Sequence, residues 1–459
     1  MTEGTGDWKT RSFWLDHRDY EPGTRLDGDE QADVVIVGGG YTGLWSAICL
    51  KDADPSIDVV VLEQKVVGYG ASGRNGGFAM TIVGRNIHQL AKMVGDEQAT
   101  ATYLAMHGAI DEIERFAAAE GIDADIWHSG NVTVSNGPEQ DIRIHQDVEA
   151  AERMGLPFEF LEHDQVLEYV HSETFRIGHF EPQALILDPA ALARGLREAA
   201  LARGVRIYEF TPVDEIETVG GRRVEARTPF GTVHADRAVV ATNAYAHSIP
   251  ELRRFIFTIY AYIVLTEPLT PEQWERVRWQ TRCGIEDKRV MVHFSRPTAD
   301  GRILWGGRDS PFMPDGPNPR HDRNQHLFNR LEETFRWTFP QLDDVAIDRG
   351  WAGPVCGTVD CIASVNWLKG DRILYALGYA GHGVGPSRLV GQIVRDMLLT
   401  EGTDLTALPF VAKKPVPLPP GKVLRKLMLD TSHKVLIGVD EHPDRADQGL
   451  AKLALKILQ

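Results

Sequence analysis

Ala32-Asp33-Val34-Val35-Ile36-Val37-Gly38-Gly39-Gly40-Tyr41-Thr42-Gly43 holds the densest structural information in the chain. The first six residues are rich in β-branched side chains and read as a short strand of a parallel sheet, buried on both faces. The run stops at a G-x-G-x-x-G turn, and Tyr41 to Leu50 suits a helix. A second β-branched run, Asp58-Val59-Val60-Val61-Leu62, ends at Glu63 and completes a β-α-β unit of about 30 residues. Without side chains, Gly38 and Gly40 let the backbone turn tightly and approach a pyrophosphate, while Gly43 lets helix and strand pack closely. The helix N-terminus faces the negative charge, so Tyr41 and Thr42 join the candidate binding residues. Glu63, followed by Gln64, stands where a carboxylate accepts both hydroxyls of an adenosine ribose and disfavours a 2′-phosphate. A β-α turn that was merely tight would not need that acid.

Gly68-Tyr69-Gly70-Ala71-Ser72-Gly73-Arg74-Asn75-Gly76-Gly77-Phe78 separates a flavin dinucleotide from a nicotinamide one. Backbone amides and short polar groups at Gly70, Ala71, Ser72, Arg74, Asn75, Gly76, Gly77 and Phe78 suit close passage of a pyrophosphate, a ribityl chain and a flavin ring. A nicotinamide enzyme has no use for such a loop, and a mobile surface loop would not require this mixture directly after the acid.

Nucleotide-fold segments recur far along the chain. Val205 to Phe210 reads as a strand leading to Val213, Arg237 to Thr242 as another, and Arg372 to Leu377 as a third before the glycine-rich Gly378 to Gly385 and a helix from Pro386. Between them, Tyr260 to Leu265 and Arg302 to Gly307 read as strands, and residues 86–120, Gln140 to Met154, Pro189 to Arg203 and Asn324 to Thr338 as helices. The expected fold is α/β: a Rossmann-type domain built from 31–85, 186–245 and 346–400, with an inserted α+β substrate domain on a mixed or antiparallel sheet from 86–185 and 246–345. Residues 1–30 form an N-terminal extension containing Trp8, Phe13 and Trp14. Residues 401–459 form a C-terminal one, with Pro415 to Pro420 and an amphipathic piece from Leu450 to Leu458. Lysine and arginine total 49 against 65 acids, a net charge of −16, so no global basic field exists to hold nucleic acid or an anionic membrane. No stretch approaches the roughly 18 apolar residues of a membrane span, and the N-terminus lacks the pattern of a secretory signal, so a cytoplasmic location is expected. The cysteines, Cys49, Cys283, Cys356 and Cys361, form no metal-ligand pattern, and no metal is expected.

Taken together, the glycine turn, Glu63 and Gly70 to Gly77 resemble the D-amino acid oxidase, glycine oxidase and sarcosine oxidase superfamily, most of all its γ-glutamylputrescine oxidase-type branch. Tyr262-Ile263-Val264-Leu265-Thr266-Glu267-Pro268-Leu269 resembles the family's substrate-domain strand. Trp351-Ala352-Gly353 with Thr358-Val359-Asp360 resembles its W-x-G…T-x-D segment, and Gly378 to Gly385 its C-terminal flavin loop. The resemblance runs from about residue 8 to 400 and implies FAD bound in extended form. By this analogy Val213 touches the adenine, Thr242 lies on the cofactor path, and Gly381, His382, Gly383 and Val384 face the flavin's pyrimidine end, where a helix N-terminus stabilises the reduced ring.

The implied reaction is hydride transfer from a small amine or amino acid to flavin, with imine hydrolysis to a carbonyl and reoxidation by O2 or another acceptor. Candidate catalytic residues are His382, Trp351, Tyr262, Arg308 and His293, with Arg308 suited to an anionic substrate group. Each also has a plain alternative, since a lone aromatic is more often core and a lone arginine more often a solvated ion pair. Two departures stand out. The position of the flavin-linked cysteine of sarcosine oxidases falls on Gly353, with Cys356 displaced, so FAD is expected to be non-covalent. Their oxygen-activating lysine falls on Leu304, which keeps a dehydrogenase open. The competing readings are an NAD-dependent dehydrogenase and a non-catalytic nucleotide-binding subunit, and the assembly is expected to be a monomer or small homo-oligomer.

Overall fold

The computed structural model describes residues 7–400 and 402–442. The amphipathic piece expected at Leu450 to Leu458 lies outside them. The chain folds into two sheets. In the first, Glu30–Val37 is central, pairing in parallel with Val59–Leu62 on one side and Gly231–Val240 on the other. Arg206–Tyr208 extends the sheet beyond Val59–Leu62, and Ile373–Leu377 beyond Gly231–Val240, both in parallel. Ser364–Lys369 adds an antiparallel edge, and the hairpin Glu215–Val219 and Arg223–Thr228 attaches to Gly231–Val240. The four residues of Val59–Leu62 are all buried, which explains why this strand shows no alternation in sequence.

The Tyr41–Ala53 helix fits against the central strand because Gly43 has no side chain: a Cβ there would stand 2.0 Å from the Gly38 carbonyl oxygen. Tyr41–Ala53 and Val384–Leu399 pack together, and Asp96–Ala119 packs on the latter. Their apolar faces share one core with Val34, Ile36 and Val61. Residues 87–119 therefore join the nucleotide-fold core, not the inserted domain expected from their position in the chain.

The second sheet is ordered Phe312–Met313, Ile256–Thr266, Ile303–Gly307, His293–Pro297, Gly284–Asp287, Asn131–Val134, Gly178–Glu181, Glu159–Leu161, with Ile347–Thr358 also paired to Ile256–Thr266. Its pairs are antiparallel apart from Gly284–Asp287 with Asn131–Val134, so the sheet is mixed. The return to the first sheet expected at 346 thus comes later, at Ser364, because Ile347–Thr358 gains a long antiparallel ladder by staying with the second sheet.

The N-terminal segment is polar in composition but buries its aromatics. Trp8, Phe13, Trp14 and Leu15 cluster with Ile263, Leu265, Leu304 and Trp351. At the other end, Lys422–Glu441 forms a helix that buries Leu429 against Phe257 and Leu418, while the Asp440 carboxylate accepts hydrogen bonds from Val290 N and Met291 N. No described helix is long and apolar enough to cross a membrane.

Gly43→Ala is expected to cost about 2–3 kcal/mol or to abolish folding, since the new methyl must displace backbone. Chemical denaturation of purified variant and parent checks this, and equal stability would refute the packing argument.

Candidate flavin site

Between the two sheets lies a cavity of about 840 Å³, within the range of small-molecule and cofactor sites. Gly38, Gly40, Tyr41 and Thr42 line it from the first turn, and Glu63, Gln64, Val213 and Thr242 from the neighbouring strand ends. Gly70, Ala71, Ser72, Arg74, Asn75 and Gly76 form a second wall, and Gly381, Gly383 and Val384 a third. The second sheet contributes Ala261, Ile263 and Phe294.

The first turn is built for close approach. Gly38 has φ +111°, and a Cβ on Gly40 would stand 2.9 Å from Ser72 Oγ. The Tyr41–Ala53 helix starts at Gly40 with no side-chain cap, although Tyr41 N donates to Ser72 Oγ at 3.0 Å. Glu63 is buried; its Oε2 accepts from Gly39 N at 2.8 Å and its Oε1 from Lys65 N at 2.9 Å. Burial outweighs these bonds and pushes the carboxyl up to about 7. Thr242 Oγ1 and Asn243 Oδ1, both on cavity-lining residues, are buried without a hydrogen-bond partner. Such orphaned groups, a glycine cradle and an uncapped helix N-terminus fit a polar, anionic, extended ligand.

The loop from Gly70 to Gly77 is held from behind. Ser12 Oγ donates to Gly73 O at 2.6 Å, Trp351 Nε1 to Arg74 O at 2.9 Å, and Trp14 Nε1 to Asn75 O at 3.0 Å. Arg74 is 2% exposed, donates from Nε to Tyr69 O at 2.8 Å and pairs with Asp322 at 3.1 Å. At the third wall, Val384–Leu399 begins at Gly383, again without a side-chain cap, and Tyr379 Oη is hydrogen-bonded to Thr42 Oγ1 at 2.9 Å. That bond ties the two glycine loops together across 337 residues.

Of the expected cofactor residues, Gly43, Gly77, Phe78 and His382 do not line the cavity. Gly43 packs helix on strand, and a Cβ on Gly77 would strike Leu187 O at 2.1 Å. Phe78 meets Phe294 edge-on at 5.8 Å. His382 is half-buried between two lining glycines; burial lowers it to about 4, and its Nδ1 lacks a partner.

The other expected catalytic residues lie outside the cavity too, for reasons of strand geometry. Ala261 and Ile263 face the cavity, so Tyr262 faces away and its hydroxyl donates to His321 O at 2.6 Å. Phe294 faces the cavity, so His293 faces away, bonded to Asp287 at 2.8 Å and stacked on Trp305. Arg308 pairs with Asp309 and, at 2.8 Å, with Glu441 of the C-terminal helix. Trp351 is a brace behind the Gly70 to Gly77 loop. Sequence reasoning missed Phe294, Ile263, Tyr245 and Tyr379; Ile263 and Tyr379 sat inside quoted motifs, whereas no local signal marked Phe294 over its neighbour His293.

A model of FAD-dependent oxidoreductases of the DAO family matches residues 33–397. The chain belongs to this family, and its cofactor is FAD. It is 30% identical over 428 residues to gamma-glutamylputrescine oxidoreductase of Escherichia coli, covering 93% of this chain and 96% of the relative. It is also 25% identical to glycine oxidase of Bacillus licheniformis, covering 80% and 93% respectively. The crystal structure of glycine oxidase from Geobacillus kaustophilus superposes with a TM-score of 0.71 at 18% identity, covering 84% of this chain and all of that one.

Two predictions test the site. FAD affinity of the apoprotein, titrated by flavin fluorescence, should rise roughly fivefold to tenfold between pH 6 and pH 8, because ribose hydroxyls favour the ionised form of an acid titrating near 7. Glu63→Gln should bind more weakly and lose that rise; a matching pH profile would remove Glu63 from the ribose. Trp14→Phe, which keeps a smaller aromatic ring and deletes the indole donor, should weaken FAD about fivefold, the equivalent of roughly 1 kcal/mol; unchanged affinity would count against the brace.

Proposed function

We propose that the enzyme oxidises a small primary or secondary amine or amino acid and passes the electrons to O2, releasing H2O2. One observation carries this reading: the cavity that holds the dinucleotide turn is also lined by the apolar Ile263 and Phe294, by Tyr379, and by Gly381 and Gly383 at a helix start. The 30% identity to gamma-glutamylputrescine oxidoreductase supports an amine as the electron donor. Bound FAD supplies a two-electron acceptor for hydride leaving a carbon that bears a neutral amine.

The protein's own contribution is orientation, dryness and charge. Gly38, Gly40, Thr42 and Ser72 would hold the pyrophosphate, Glu63 the ribose and Val213 the adenine edge. Gly383 and Val384, at a helix N-terminus, would stabilise negative charge at the redox end. Ile263 and Phe294 exclude water and leave a flat apolar wall against which an alkyl chain is oriented. Trp351 acts as a positioning residue through the Arg74 carbonyl. The product imine is hydrolysed to a carbonyl compound and an amine.

No cysteine lines the cavity among the described residues: Gly353 does, whereas Cys356 is buried, its thiol pushed up to about 12 by desolvation. This supports FAD held without a bond to cysteine, and acid precipitation should leave essentially all flavin in the supernatant; flavin in the pellet would refute non-covalent binding.

Anaerobic mixing of holoenzyme with γ-glutamylated diamines, N-methyl amino acids, aminophosphonates and short diamines should bleach the band near roughly 450 nm with at least one of them. Failure of every amine would overturn amine oxidation. Admitting air should then restore the band and yield one peroxide per flavin; a band that stays bleached would make the enzyme a dehydrogenase.

A further inference from the structure

Phe294, a wall of the large cavity, is opposed in register to Glu286, Glu286 to Thr133, and Thr133 to His179. Directly opposed residues on neighbouring strands put their side chains on one face, so this row leads away from the flavin cavity in steps of about 4.8 Å. Beyond Phe294, its members Glu286, Thr133 and His179 line a second cavity of about 30 Å³, together with Tyr103, Glu181 and Lys288. Met80 lines it as well, and the Met80 carbonyl oxygen stands 2.7 Å from where a Cβ on Gly385 would be. The small cavity thus abuts the first turn of the Val384–Leu399 helix, whose Val384 lines the large one.

Three carboxylates, those of Asp147, Glu181 and Glu286, line it with two cations, Lys288 and Arg85, and Arg85 turns its Nε to the Asp360 carbonyl oxygen at 2.9 Å. Asp147 is satisfied: burial would raise it, but contact with Lys288 and the His179 ring at 3.7 Å holds it low. Glu181 accepts a hydrogen bond from Thr81, and Glu286 accepts one from Thr133 at 3.3 Å. Among the described residues neither carboxylate has a cation within 4.0 Å. Burial pushes the Glu181 carboxyl up to about 7 and raises Glu286 despite the nearby charge of Lys288, as expected of desolvated acids without a contact ion pair. His179 Nδ1, on a side chain 4% exposed that lines the cavity, has no hydrogen-bond partner, and Tyr103, 2% exposed, turns its hydroxyl to the Glu181 carboxylate. The space is that of one water molecule, which is also the size of an ammonium head.

We propose that Glu181 and Glu286 receive a second, cationic head group of the substrate, which makes the substrate a short diamine or an amine with a comparable alkylammonium tail. This deepens the amine-oxidation reading and rests on it for the identity of the oxidised end. The alkyl chain lies along Phe294 and past Met80, and the distal ammonium is held by two carboxylates with Tyr103 completing its hydrogen bonds.

Equilibrium dialysis of the holoenzyme against 1,4-diaminobutane and n-butylamine, which share a chain and differ by one charge, tests the site without turnover. Wild type should bind diaminobutane at least tenfold more tightly. The double variant Glu181→Gln/Glu286→Gln should erase that preference, and Tyr103→Phe should reduce it severalfold at unchanged thermal stability. Should the double variant fail to fold, Glu286→Gln, at a half-buried position, must cut the preference at least threefold. Equal binding of the two amines by wild type, as for a cavity that holds only water, or a preference that survives the substitutions, would overturn the proposal. Diaminobutane that binds with this preference but never bleaches the flavin would leave the subsite standing and count against the oxidation reading. Bleaching by both amines without preference would do the reverse.

Discussion

Three consecutive carbonyls, those of Gly73, Arg74 and Asn75, each accept a hydrogen bond from a side chain far away in sequence: Ser12, Trp351 and Trp14. The rest of the site depends on this clasp. A loop with glycine at four of the eight positions from Gly70 to Gly77 has large conformational freedom to lose, and glycine offers no side chain with which to repay it. Anchoring the carbonyls on the outer side leaves the inner side for a cofactor. The three bonds are worth roughly 1 kcal/mol each, and burial of the Trp14 ring adds about twice that, which is the scale needed to hold one loop conformation. The clasp also joins three chain segments, so the N-terminal segment is structural.

The same economy governs where charge is buried. Glu63 is desolvated but receives two backbone N–H groups, so its remaining lone pairs have a defined direction toward the cavity. Asp287 is desolvated yet held down to about 2 by His293 and Arg289, which makes it a structural acid on the outer side of the second sheet. Glu181 and Glu286 receive hydroxyl hydrogen bonds but no ion pair, and burial prevails in both. Burying an acid without a partner costs stability, so the contrast among these carboxylates separates those that complete the fold from those left ready for a ligand.

How far the site was legible follows from the range of the interactions involved. Gly38, Gly40, Glu63 and the Gly70 to Gly77 loop were readable because a tight turn, a positive φ and a strand-end acid are demands made within a few residues. The expected catalytic set was not. Tyr262 and Ile263 are neighbours on a strand with buried residues on both faces, as are His293 and Phe294, and composition does not say which of each pair looks inward. Arg308 looked available because its partner Glu441 lies 133 residues away. The helices of 87–119 were assigned by their place in the chain, whereas their apolar faces are completed by Tyr41–Ala53 and Val384–Leu399.

By itself the amino-acid order determined the strand-turn-helix unit, its acidic terminus, the glycine-rich loop and the class of cofactor, since each is a local pattern of side-chain size and backbone freedom. Tertiary structure alone decided which faces of the second sheet meet the flavin cavity, that the N-terminal aromatics brace the cofactor loop, and that Glu181 and Glu286 share a small cavity. The reason is physical: strand register and long-range packing select one of two opposite faces, and a two-residue period carries no label for inside and outside when both are apolar.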